Sequence, residues 1–142
     1  MDLFITITAL LGAYSTYFLA HHNRFDGIRA SAATSIIAFA ILSLFPVDVE
    51  LYSVAFFGGT FIGMSAPKRF GIFTLAIASI LFALLFEYLV PRLHGYGGAL
   101  GLSAFLSVCV CHIGILLGAP RSKKATKSDL AIKNLYLFIK IL

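Results

Sequence analysis

Charged side chains are scarce in this chain, at 12% of its 142 residues, and only six of them are acidic. A soluble domain carries about 25% charged and 45–50% apolar residues. Here 60% are hydrophobic and the mean hydropathy is +0.97. Too little polar surface exists to cover a water-facing globule, so lipid is the expected solvent for most of the chain. Cysteine is almost missing as well. Cys109 and Cys111 are the only two, and on a helix neighbours at that spacing point about 200° apart. They cannot bridge each other, which excludes a disulfide framework; reduced, buried thiols are expected, with an intermolecular bridge as the alternative. GxSxG, HExxH, P-loop and aspartate-rich diphosphate-binding motifs are all absent. No enzyme is expected, and neither a cofactor nor a resident metal is called for.

What the chain has in quantity is small residues inside apolar runs. The densest stretch is Phe56-Phe57-Gly58-Gly59-Thr60-Phe61-Ile62-Gly63-Met64-Ser65-Ala66-Pro67-Lys68-Arg69, with a partial echo at Tyr96-Gly97-Gly98-Ala99-Leu100-Gly101-Leu102-Ser103-Ala104. In water each helical glycine would cost about 1 kcal/mol relative to alanine. In a bilayer small residues are tolerated because they let neighbouring backbones approach closely.

The fold class expected is all-α, a polytopic integral membrane protein with five spans near residues 3–20, 30–45, 51–66, 70–90 and 97–119. Span one starts from Met1-Asp2-Leu3-Phe4 with no positive n-region and no small-residue cleavage site, so it is expected to be retained. Thr8, Gly12 and Ser15 make a small stripe on it, read as a packing seam or a solute-facing face. Span two opens on Ala30-Ser31-Ala32-Ala33-Thr34-Ser35 and ends at Pro46, ahead of the acidic loop Val47-Asp48-Val49-Glu50. Span three, at 16 residues, covers about 24 Å of a ~30 Å hydrocarbon core. It must lean on its flanks or be irregular where protein or water surrounds it. Ser79, Ala83 and Glu87 share one face of span four, and span five carries Ser103, Ser107, Cys109, Cys111 and His112.

Residues 1–120 form the transmembrane domain in this reading. Residues 121–142 form a basic linker and an interfacial helix, with Ile132, Leu135, Tyr136 and Ile139 on one face. Of eleven Lys and Arg residues, ten fall in alternate loops and the tail, and Arg92 alone falls on the opposite side. The net charge of +5 thus follows membrane topology rather than a nucleic-acid surface. It sets the N-terminus outside and the C-terminus in the cytoplasm, with a bacterial inner membrane the expected setting. Spans two-three and four-five both read as a helix ending in proline followed by a glycine-rich helix ending small-Ala-Pro-basic. That resembles either a parallel two-hairpin repeat or common membrane punctuation.

Candidate functional residues follow from this layout. Gly59/Gly63, Gly97/Gly101 and Gly114/Gly118 are small-xxx-small pairs, whose plain role is helix contact. His112 lies fifteen residues into span five, about 22 Å along it. An ionisable group at that depth usually faces protein or a water cavity. It reads as a packing histidine, a proton or ion relay, or a metal ligand beside Cys109 with His21 and His22. Two ligands on one helix fall short of a zinc site. Glu87 pairs with Arg92 or His94, or lines a path. Two functions are therefore expected. One is a small channel or transporter subunit passing an ion or solute along Gly58, Gly59, Thr60, Gly63, Ser65, Gly97, Gly98, Gly101, Ser103, Ser107, Glu87 and His112. The other is a structural or accessory subunit docking through its glycine faces. Either implies the lipid bilayer and a homo-oligomer or other membrane subunits as partners.

Overall fold

Five α-helices and one 3₁₀ turn make up the structure, a computed structural model that describes residues 2–21, 26–65, 71–93 and 98–117. No strand occurs among the described residues. The helices are α1 (Leu3–Ala20), α2 (Gly27–Leu42), α3 (Val49–Ser65), α4 (Ile72–Tyr88) and α5 (Ala99–Leu116), with the 3₁₀ turn Pro91–Leu93 between the last two.

Two helix starts are written in aspartates. Asp2 accepts from the Phe4 backbone N–H at 3.0 Å, and Asp48 from that of Leu51 at 3.1 Å. Each satisfies a first-turn donor that the helix itself leaves without an acceptor. Asp48 therefore begins α3 rather than belonging to a plain acidic loop. α2 begins at Gly27, three residues before the start expected from hydropathy, so that Arg29 sits exposed in its first turn. It stops at Leu42 rather than at Phe45. Pro46 disfavours helical geometry at the residue before it, and the chain tightens instead, with the Phe45 N–H donating to Leu42 O at 3.1 Å. α4 likewise ends ahead of Pro91. The expected interfacial helix and basic linker, and the Pro67 and Pro120 ends of the suggested repeat, lie outside the described residues.

α1 and α3 form the central pair. Ala9 lies beside Gly59, and Ala13 beside Gly63, so the two helices run parallel. α2 connects them and runs the other way, with Gly27 next to Met64 and Ser31 opposite Thr60. α4 crosses this pair antiparallel to α1. The Tyr14 hydroxyl donates to Ile72 O at 3.1 Å, and the Phe82 ring lies over Gly58. Tyr17, Ile62, Leu75 and Phe82 fill the centre among Ala9, Ala13, Ala55 and Ala78. α5 is held by less, with Ser103, Ala104 and Ser107 its buried residues.

The surface is inverted relative to a protein in water. Each helix turns large apolar side chains outward, among them Phe4, Leu11, Ile36, Phe39, Phe57, Phe73, Phe105 and Leu116. The buried polar side chains among the described residues are all hydroxyls: Thr6, Thr16, Ser31, Thr60, Thr74, Ser79, Ser103 and Ser107.

Candidate functional site

The glycines of α3 are sites of backbone contact. A β-carbon on Gly59 would run into the carbonyl oxygen of Ala9, and one on Gly63 would lie 2.5 Å from that of Ala13. The relation is reciprocal, because a β-carbon on Gly12 would meet the carbonyl of Phe56. Gly12, Gly59 and Gly63 therefore interlock α1 and α3 at a distance only glycine permits. Gly58 points to the other side, where the Phe82 ring occupies the space a side chain would need.

Thr60 sits in the same stretch and is fully buried. Its hydroxyl donates to Phe57 O at 2.6 Å, so it can only accept from Ser31, whose Oγ lies 2.7 Å away. A parallel link joins Thr16 and Thr34 at 3.2 Å. Thr34 gives its proton to Ala30 O at 2.9 Å, leaving Thr16 as the donor. These two hydroxyl pairs tie α2 to α3 and α2 to α1. Ser35 Oγ, on the same helix, is buried and has no hydrogen-bond partner among the described residues.

α5 differs from α3 in this respect. Gly98 caps it in the left-handed region at φ 98°, an exposed position natural to glycine. Among the described residues, no atom lies within 4 Å of a would-be β-carbon on Gly101 or Gly114. Grooves flank the helix at both glycines. One, of about 430 Å³, lies between α4 and α5 and is lined by Thr74, Ile77, Leu81, Cys111, Gly114 and Ile115 among others. The other, of about 300 Å³, lies between the end of α3 and α5, where Ser65 and Met64 face Gly101 and Val108. Ser103 and Ser107 are buried and return their protons to Ala99 O and Ala104 O, at 2.9 and 2.7 Å.

The remaining candidates are dispersed. His112 is exposed on α5, eleven residues from Gly101 and so on the same face. Ser65 is exposed and bonded to Phe61 O at 3.1 Å, while Glu87 is half-buried near the end of α4. His21 closes α1, its ring bonded to Tyr17 O at 2.9 Å. Gly97 and His22 lie outside the described residues. No group of three metal-binding side chains assembles among those described. The structure thus places Gly59 and Gly63 in the α1–α3 seam, Thr60 against α2 and Gly58 against α4, and it brings Ser65 and Gly101 to one groove. It leaves His112 and Glu87 apart from the seam.

α1 and α5, at 18 residues each, are long and apolar enough to cross a membrane, and α2, α3 and α4 are shorter apolar helices of 16, 17 and 17 residues. The chain matches no family model, no curated protein and no solved structure.

Proposed function

We propose that this chain is an integral membrane subunit that acts by assembling with other membrane chains, either further copies of itself or different subunits. The observation that carries the reading is the inverted surface: aliphatic and aromatic side chains face outward on all five helices while hydroxyls are buried. In water so much exposed apolar surface would drive aggregation, whereas in hydrocarbon it is the stable arrangement. The three helices shorter than a full span fit the bilayer by local thinning or by association with neighbours. Assembly rather than solute passage through the core is favoured by the seam itself. Its glycines are filled by backbone, and Ser31, Thr34 and Thr60 bond to one another's helices or to their own. The face left for a neighbour is that of α5, where Gly101 is open.

A channel or transporter subunit is the second reading, favoured by Ser65 facing Gly101 across the α3–α5 groove with His112 on the same face of α5. A path there would form between subunits. Purification of the full chain in mild detergent tests both. Assembly predicts an oligomer or a co-purifying membrane protein that Gly101→Leu disperses. A monomer unaffected by that substitution would contradict it. Flux into vesicles that changes with His112→Ala would select the second reading.

A further inference from the structure

Four helices have both of their ends among the described residues. α1 runs from the Asp2 cap to His21, α2 from Asp26 to Ser43, α4 from Gly71 to Leu89 and α5 from Gly98 to Leu117. They hold 18, 16, 17 and 18 residues, or about 27, 24, 26 and 27 Å at the helical rise. The hydrocarbon core of a typical bilayer is ~30 Å thick. All four fall short of it standing upright, and any tilt shortens their reach further.

The exposed apolar surface fills these lengths. Leu3 and Phe4 are exposed in the first turn of α1, Phe73 in that of α4, and Leu116 and Leu117 at the end of α5. Charged side chains draw the edges inward on two helices. Arg29 is exposed in the first turn of α2, and Glu87 stands half-buried in the last turn of α4. Uncharged helix is left over residues 30–42 and 72–86, about 20 and 22 Å. Long charged side chains can reach back toward the headgroups, but a backbone cannot. Beyond each cap the free N–H and C=O groups need water, and irregular backbone facing lipid does not occur within hydrocarbon. Leu44 and Phe45 continue the apolar surface past Ser43, yet they lie outside the helix, so their place is the interface.

A short helix in a thick membrane either thins the lipid around it or associates with neighbours. Among the described residues, neighbouring helices leave these ends uncovered: Ile28, Phe73 and Leu116 are 78, 77 and 72% exposed. We infer that the outer surface of this chain is matched to a thin bilayer. Its hydrocarbon layer is about 24–27 Å thick, and its phospholipids carry acyl chains shorter than those of an average membrane. The inference rests on the membrane reading above and deepens it, because it assigns the apolar surface to lipid of a particular chain length.

The test reconstitutes the full chain, purified in mild detergent, into vesicles of phosphatidylcholine. The headgroup is kept constant. Each acyl chain carries one cis double bond and from fourteen to twenty-two carbons, so that every bilayer is fluid. Thermal unfolding is followed by circular dichroism in each. The midpoint is expected to be highest at fourteen or sixteen carbons and to fall by a few degrees with each further pair of carbons. Spans of ordinary length, about twenty residues, would place the optimum at longer chains. An optimum at eighteen carbons or more, or a midpoint that does not change with chain length, overturns the inference. Release of the chain from membranes by alkaline carbonate would instead bring down the membrane reading itself.

Discussion

The carbonyl oxygen of Ala9 lies where a β-carbon on Gly59 would have to sit, so α1 and α3 meet there backbone to backbone. Gly59→Ala must therefore push the helices apart, at a cost resembling overpacking, about 1–3 kcal/mol. Gly101→Ala has open space around it and should be neutral or gain up to about 1 kcal/mol of helix propensity. Thermal unfolding of the two variants in detergent separates them. Equal stabilities would mean the seam is looser than its geometry.

At Gly63 the distinction is between packing and a water-lined face. A hydroxyl would be at home beside water, but any β-carbon at Gly63 comes 2.5 Å from Ala13 O and 2.9 Å from Thr16 Cβ. Gly63→Ser and Gly63→Leu are thus both expected to destabilise, the leucine more. A serine variant of full stability would contradict the seam and favour a path.

The Ser31–Thr60 link is a coupling between α2 and α3. Thr60→Val removes the acceptor and leaves the Ser31 hydroxyl buried beside a methyl group. A double-mutant cycle of Ser31→Ala and Thr60→Val should give a coupling of about 0.6 kcal/mol, the average for hydrogen bonds between membrane helices. A value indistinguishable from zero would mean the two hydroxyls are satisfied separately.

The caps predict an asymmetry between two aspartates. Asp48 bonds the Leu51 N–H, whereas Asp26, at the start of α2, makes no side-chain cap bond. Asp48→Ala should cost about 1 kcal/mol and Asp26→Ala much less. Equal losses in thermal unfolding would contradict the assignment of α3's start.

The helices were legible in the sequence because hydropathy, aspartates and prolines punctuate them. α1 runs over residues 3–20 as its apolar run suggests. The faces were harder to see. A helix apolar on all sides gives no amphipathic stripe to orient it. Thr8, Gly12 and Ser15 mark small residues on α1, yet the face α1 buries passes through Ala9, Gly12, Ala13 and Thr16. Thr8 and Ser15 instead turn their hydroxyls to their own backbone. Alanine is as small as the polar residues but carries no signal among so many apolar neighbours. The glycine stretch of α3 stood out as a contact surface, but its partner, Ala9 and Ala13 some fifty residues earlier, is a tertiary fact that no local pattern encodes. The same holds for α5, whose glycines resemble those of α3 in sequence yet, among the described residues, have nothing within 4 Å of a would-be β-carbon.

Everything proposed for this chain depends on its apolar outer surface facing lipid. Extraction of expressing cells' membranes with alkaline carbonate tests that most directly, because it strips peripheral and soluble proteins and leaves integral ones in the pellet. The full chain is expected to stay wholly in the pellet and to be released only by detergent. Its recovery in the carbonate supernatant as a dispersed protein would contradict the account.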